Sequence, residues 1–403
     1  MAGKAAIPRI IGIDLTRSVA IFFAMLSHVW VVTRMDDFWS GPSADLLRAL
    51  MALATPTFIL LFGTMLEIVY RPRFVAGEQG RVAVRLLSRA VQCWLLYCLS
   101  VFVLYLSADG YSLKFSIATM MLLGVTPFTD ILKFYAVVLF LAPILLWLRN
   151  RVGLLPLVVA AIAVHAAHPI LRGLPGPLDF HMGMYAERVV TFLFGIGDAK
   201  LGGPSILHGT SLIIGGMVFG RLIAGDRTSA RPANAADSIV RRAFFLLLAS
   251  CLVLAYGVLF YDQESLAELG DMSLRMDSDP LYFAAGFCGA IALTSLAVLV
   301  TQRLSPDVKQ RLEKPVFFGR TSLFTFAFGN MILYAWPGTP DTLGSAVLQA
   351  VLVSIAITGL SYLFDREVRR GAILANVVKW FQAKIASFVK MLVVWKSPTA
   401  EKA

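Results

Sequence analysis

Three ionisable residues interrupt the first long apolar run of this chain, IDLTRSVAIFFAMLSHVW at residues 13–30: Asp14, Arg17 and His28. Arg17 and His28 are eleven residues apart, so on an α-helix they lie about 20° from alignment and about 16 Å apart along the axis. One helix face then carries an anion-binding guanidinium at one depth and a possible base at another. Asp14, one turn before Arg17, is placed to pair with it.

A purely structural interpretation of these three residues also stays open. In it, Asp14 and Arg17 form a buried pair, and His28 is an interfacial histidine with its hydrogen bonds satisfied. Ionisable groups inside a membrane cost roughly 2.5–3.5 kcal/mol each on insertion scales and usually face a bundle interior or a watery cavity. The shared face favours a functional role about as much as a structural one.

The composition indicates that these residues lie in a membrane. The chain has 403 residues, of which 58% are hydrophobic and only 15% charged, and its mean hydropathy is +0.75. Soluble domains carry about 25% charged residues. The net charge of +11 comes from basic clusters between apolar runs, which is typical of membrane orientation signals and not of a nucleic-acid surface. We therefore predict an all-α, polytopic helical bundle.

The apolar runs predict about ten transmembrane helices, because a helix that crosses a ~30 Å hydrocarbon core needs about 20 mostly apolar residues. Two further runs, 112–127 and 185–201, are short or interrupted by charge, including Asp198 and Lys200, and we predict that they are re-entrant or interfacial. The ten predicted spans are 10–33, 46–70, 86–106, 130–149, 152–170, 206–224, 240–261, 281–301, 315–336 and 343–364.

The positive-inside rule supports this count with both termini in the cytoplasm. The acidic loop YDQESLAELGDMSLRMDSDP then falls outside. The basic residues placed inside are Lys4, Arg9, Arg71, Arg73, Arg81, Arg85, Arg89, Arg149, Arg151, Arg221, Arg227, Arg231, Arg241, Arg242, Arg303, Lys309, Arg311, Lys314 and those of the C-terminal tail.

The chain divides into a bundle at 1–364 and a basic tail at 365–403. Lys379, Lys384 and Lys390 interrupt apolar residues in this tail, as expected of an amphipathic helix that lies along an anionic inner leaflet. An eleventh span is the alternative. Four cysteines (Cys93, Cys98, Cys251 and Cys288) lie within apolar runs, without the spacing of a disulfide framework or a metal motif, and we expect them to be packing residues.

The first span resembles the opening motif of the membrane acyltransferase-3 superfamily, an Arg, ten residues and a His within D-x-x-R-(G/S)-x-A. Ser18 stands where that family generally has glycine. Three other segments resemble the OpgC-type branch, the periplasmic glucan succinyltransferases: TPTFILLFGTMLEIVY its second span, TDILKFYAVVLFLAPILLWL its fourth and FGRTSLFTFAFGNMILY its ninth. Gly329 stands where the wider superfamily has a histidine, and the OpgC-type branch tends to have glycine there.

This resemblance implies an O-acyltransferase of the inner membrane. It would move a succinyl or acetyl group from cytoplasmic acyl-CoA to hydroxyls of a periplasmic or cell-envelope glycan, without a metal. His28 would be the base or a transient acyl carrier. Arg17, tethered by Asp14, would hold the donor or stabilise the developing oxyanion.

The resemblance also implies arginines that bind the phosphates of CoA at the cytoplasmic end of the third span. Arg81, Arg85 and Arg89 recur every four residues there, so they share one helix face, although simple membrane anchoring explains each one singly. Arg320 and Ser322, at the start of the ninth span, are candidates for the same donor pocket.

The remaining candidates are weaker, and a second class of function stays open. Glu67 is predicted to reach water at the inner boundary, and Asp130 and Lys133 lie at the fourth span. Surface or interfacial positions are predicted for His165, His168, His181 and His208, with His181 a candidate for acceptor contact. The alternative function is a transporter or flippase that uses Asp14, Arg17 and His28 as a proton or anion relay; a structural scaffold is a third possibility.

Overall fold

The computed structural model describes residues 10–108, 110–197, 203–225, 235–261, 263–312, 316–371 and 373–393. Within these ranges the chain is helical and contains no strand. Several predicted features lie outside the described residues: Lys4, Arg9, Asp198, Lys200, Arg227, Arg231, Lys314 and the last ten residues of the tail. The chain is thus a multi-pass membrane protein of all-helical class, as its composition predicts.

Among the described residues, eight helical segments are long and apolar enough to cross a bilayer. Each coincides with a predicted span. They are α1 (Ile11–Val32), a segment built from α2 (Pro42–Ala52), α3 (Ala54–Met65), a π-turn (Leu66–Tyr70) and α4 (Arg71–Val75), then α5 (Gln79–Ser107), α7 (Asp130–Val152), α11 (Ile206–Ala224), α12 (Ala235–Phe260), α15 (Pro280–Arg303) and α19 (Leu343–Arg370).

The two other predicted spans are present as interrupted helices. The run at 152–170 forms α8 (Leu155–Ala166), which has 12 residues, followed by α9 (His168–Gly173). The run at 315–336 forms α17 (Phe317–Arg320) and α18 (Ser322–Tyr334), the latter with 13 residues. Neither α8 nor α18 alone has the length of a full span.

Shorter helices connect these segments. A 3₁₀ turn (Met35–Asp37) follows α1, and α6 (Leu113–Met120) and α10 (Met184–Phe194) occupy the two runs predicted not to span. The others are α13 (Gln263–Gly270), α14 (Ser273–Met276) and α16 (Pro306–Leu312). With 8 and 11 residues, α6 and α10 are too short to cross a bilayer, in agreement with the predicted count.

Glycine brings the backbones of α3 and α11 into contact at the centre of the bundle. A Cβ on Gly216 would lie 2.0 Å from the carbonyl oxygen of Leu60, and one on Gly63 would overlap the carbonyl oxygen of Ile213. Thr64 Oγ1 donates to Gly216 O across the same contact at 3.1 Å. Small residues allow this close approach, which stabilises helix pairs where lipid supplies no hydrophobic drive.

Helices α12 and α19 lie at the periphery: in their apolar stretches of 18 residues, only 11% and 17% are buried inside the bundle. The chain turns away from α19 at Gly371, whose φ of +71° suits glycine. The tail then forms α20 (Ile373–Leu392), which packs against α5 and α19.

Candidate active site

A cavity of about 800 Å³ opens inside the bundle. Its walls are mostly apolar and come from α1, α2, α3, α5, α7, α14, α17, α18, α19 and α20. Five arginines and one histidine line it, and no Asp or Glu does so among the described residues. The histidine is His28, and the arginines are Arg17, Arg85, Arg89, Arg275 and Arg320. A low-dielectric space with this charge selects anions.

Arg17 and His28 both line this cavity, together with Ile21 and Ala24 between them. The helical spacing predicted this common face. Asp14 does not line the cavity; it lies in the first turn of α1, where its carbonyl oxygen accepts from Ser18 Oγ at 3.1 Å.

Ser18 joins α1 to α17. Its Oγ accepts a hydrogen bond of 2.9 Å from the backbone N–H of Gly319. A Cβ on Gly319 would lie 2.7 Å from that oxygen, so only glycine permits this approach. The contact holds α17, which carries Arg320, against the helix that carries Arg17.

His28 is held by Asn330, a residue 302 positions away on α18. Its Nδ1 lies 2.7 Å from Asn330 Oδ1. Asn330 is fully buried, and its Nδ2 donates to the Phe326 carbonyl at 2.7 Å, so the oxygen of the amide must face His28. His28 Nδ1 therefore donates this hydrogen bond, and in the neutral ring Nε2 keeps its lone pair.

Two aromatic rings fix the plane of the imidazole. Phe128 stacks on His28 with 4.8 Å between ring centroids, and Phe326 meets it edge-on at 5.6 Å. Phe128 is held in turn by Tyr334, whose hydroxyl accepts from its backbone N–H at 3.3 Å. The histidine thus has one orientation and one tautomer, as a general base requires.

Arg275 is a cavity residue that sequence reasoning missed. It lies on α14, within the loop segment before α15, and lines the cavity together with His28. Its Nε is buried and makes no hydrogen bond to any residue that the structure describes. The available signal was that Arg275 is the only basic residue in the acidic loop at 261–280.

Arg81, Arg85 and Arg89 lie along one face of α5, as their spacing predicts, and line a groove of about 490 Å³. Arg85 and Arg89 also line the main cavity, so the two spaces adjoin. The Arg85 guanidinium lies 5.8 Å from the centroid of the Tyr70 ring, and Arg89 Nη1 donates to Gln92 Oε1 at 3.4 Å.

Arg320 and Ser322 both line the cavity, at the break between α17 and α18. Arg320 also makes a two-point ion pair with the buried Asp365 of α19, with distances of 3.1 and 3.0 Å. Arg369 shares the same carboxylate at 2.7 Å. Two guanidinium groups on one carboxylate leave this wall with a net positive charge.

Glu67 does not reach water, contrary to its predicted position. Its side chain is 3% exposed, and both carboxylate oxygens accept from Arg149 of α7, at 3.1 and 2.9 Å. Arg71 donates to the same carboxylate at 3.1 Å. Glu67 lies on the π-turn outside the cavity lining, so it locks two helices together.

Asp130 and Lys133 likewise stabilise the structure next to the site. The Lys133 ammonium donates to Asp130 Oδ2 at 3.2 Å and to the Gly124 carbonyl at 2.8 Å. Asp130 Oδ1 accepts from the backbone N–H and the hydroxyl of Thr126, both at 2.9 Å. These bonds fix the segment before α7, which places Phe128 against His28.

Three of the four other histidines pack together, and two of them, His168 and His208, are buried instead of lying at the surface, which corrects the predicted positions of these two. His208 is fully buried and His168 nearly so; their ring centroids are 5.8 Å apart, and that of His165 is 5.4 Å from His208. The described residues contain no group of three such side chains placed to hold a metal ion. His181 is exposed.

All four cysteines are free thiols. Cys93 is buried, and Cys98 and Cys288 are partly buried, as expected of packing residues, whereas Cys251 is exposed on the peripheral helix α12. Packing therefore explains the positions of three of the four cysteines.

Neither a protein-family model nor a curated protein matches this chain. The resemblance to the acyltransferase-3 superfamily therefore stays a prediction.

Proposed function

We propose that the protein is a membrane-embedded O-acyltransferase. In this proposal it moves an acyl group, succinyl or acetyl, from cytoplasmic acyl-CoA to a hydroxyl of a periplasmic or envelope glycan in the inner membrane. The observation that carries the proposal is the position of His28, whose tautomer is set by Asn330 in a cavity also lined by Arg17. The first-span motif supports it.

The donor enters from the side where α5 begins. Arg85, Arg89 and Arg320 line that part of the cavity, and guanidinium groups bind phosphate oxygens in paired hydrogen bonds. The apolar walls between these arginines and His28 suit the long, mostly uncharged arm that carries the thioester of CoA. The cationic lining is complementary to the negatively charged phosphates of such a donor.

The transfer uses His28 as general base. Its Nε2 removes the proton from the acceptor hydroxyl while the hydroxyl oxygen attacks the thioester carbonyl carbon. The C–S bond breaks, the acyl ester forms, and the proton passes from His28 to the departing thiolate, which gives free CoA thiol. Arg275, which lines the cavity together with His28, stabilises the negative charge that develops on the carbonyl oxygen. Arg17, about 16 Å from His28 along α1, holds the donor.

An anion carrier is the competing function, and the cationic cavity is the observation that favours it. A proton-coupled relay has less support, because intramembrane proton relays commonly use carboxylates and Asp14 does not line the cavity. Transfer chemistry separates the two classes, since a carrier leaves the acceptor unmodified.

The test is mass spectrometry of periplasmic and envelope glycans from cells that express the wild type, His28→Ala, Phe22→Ala or no protein. Phe22 lies on α1 but is 48% exposed outside the cavity, so it is the matched control. We expect an added acyl mass with the wild type and Phe22→Ala only. Acylation by His28→Ala would refute the role of His28, and identical glycans in all four samples would favour the carrier.

A further inference from the structure

The C-terminal helix α20 forms one wall of the cavity. Five of its residues line the cavity, spaced as one helical stripe: Leu374, Val377, Val378, Phe381 and Gln382. Its other side carries large exposed apolar residues that do not line the cavity, such as Trp380 at 62% and Met391 at 69% exposed. Such a helix has one face for the bundle and one for lipid.

The same helix completes the basic groove beside α5. The groove is lined by Arg81, Arg85 and Arg89 from α5 and by Lys390 from α20, and no acidic residue lines it among the described residues. Four cations in one groove repel each other unless an anion neutralises them. Gln382, like Arg85 and Arg89, lines both the groove and the cavity.

We propose that α20 is part of the donor site, an inference that rests on the proposed function. Lys390 and the three α5 arginines bind the phosphates of the donor's nucleotide in the groove. The apolar stripe of α20 covers the thioester arm on its way to His28. The bundle without α20 therefore lacks both a phosphate contact and a wall of the cavity.

The phosphate chemistry of the groove would also suit the headgroup of an anionic lipid. The nucleotide is favoured because the groove adjoins the cavity through Arg85 and Arg89, so one molecule can occupy both. A lipid headgroup would use the groove alone.

The experiment compares Lys390→Gln with Lys384→Gln. Lys384 carries the same charge on the same helix, but its ammonium lies 5.9 Å from the Trp380 ring centroid and does not line the groove. Each protein is placed in nanodiscs of zwitterionic lipid, and CoA and adenosine 3′,5′-bisphosphate binding is measured by calorimetry. We expect Lys390→Gln to weaken both affinities about tenfold, as for one charge-assisted hydrogen bond, and Lys384→Gln to leave them within about twofold.

Equal affinities for Lys390→Gln and the wild type, with weaker binding by Arg85→Gln, would overturn the role of α20 and leave the donor proposal standing. Absence of CoA binding by the wild type would instead refute the proposed function. Addition of anionic phosphatidylglycerol to the nanodiscs is the second arm. Competition between this lipid and CoA that Lys390→Gln abolishes, without a change in CoA affinity in zwitterionic lipid, would identify a lipid site and overturn the proposal.

Discussion

At the scale of single residues, the amide of Asn330 fixes the tautomer of His28, which the histidine alone cannot do. Its Nδ2 donates to the Phe326 carbonyl, so its Oδ1 faces His28. An imidazole free to exchange tautomers would spend part of its time with the wrong nitrogen protonated. Asn330 is a positioning residue, because it acts through His28.

Replacement of Asn330 tests this role. We expect Asn330→Leu to lower kcat for acyl transfer about 10²-fold, the scale of general-base contributions, with KM unchanged. Asn330→Asp keeps an acceptor oxygen for His28 Nδ1 and should recover most of the rate. Steady-state kinetics on purified protein checks both. A full rate in Asn330→Leu would show that the tautomer is set in another way.

The spacing of Arg17 and His28 was enough to predict that they share a face, because α-helical geometry is local. Asn330 and Arg275 escaped prediction because their contacts depend on how distant segments pack. Glu67 illustrates the same limit, since its partner Arg149 is 82 residues away. A single sequence shows that a buried carboxylate needs a partner but not which arginine supplies it.

At the scale of elements, the bundle depends on places where backbones touch. Helices α3 and α11 meet at Gly63 and Gly216, and α17 meets α1 at Gly319. The sequence predicted the long helices well, because a run of about twenty apolar residues has the length of a helix that crosses the bilayer. It did not predict the breaks in α8–α9 and α17–α18, which lie beside polar residues, His168 in the first and Arg320 and Ser322 in the second.

A pair of Gly→Ala substitutions tests the α3–α11 contact. Gly216→Ala places a methyl group 2.0 Å from the Leu60 carbonyl oxygen, and overpacking of this kind costs about 1–3 kcal/mol. Gly257, on the peripheral α12, has no atom within 4 Å of the corresponding position. We expect a lower midpoint of thermal unfolding in detergent for Gly216→Ala only. An equal midpoint for both variants would mean that α3 and α11 do not touch there.

At the scale of the whole molecule, the distribution of arginines predicts which end faces the cytoplasm. Ala76, between α4 and α5, and Asp341, just before α19, lie at opposite ends of the bundle if each predicted span crosses once. Both residues are exposed, so each can carry a reporter.

Cysteine labelling tests this orientation, on a background in which the four native cysteines are replaced. Ala76→Cys should react with an impermeant thiol reagent only after the inner membrane is opened. Asp341→Cys should react in cells whose outer membrane alone is permeable. Labelling of both from one side would contradict the ten-span topology, and the reversed pattern would invert the donor and acceptor sides.

The short helix α8 has a consequence for the lipid around it. Its 12 residues extend about 18 Å before the break at Ala167 that precedes α9, less than the ~30 Å hydrocarbon thickness. Its side chains face outward, with Leu155 73% and Ile162 64% exposed. Hydrophobic mismatch of this size is relieved when the two leaflets approach each other. The bilayer should therefore be thinner beside α8 than elsewhere around the protein, and membranes of lipids with shorter acyl chains should stabilise the protein.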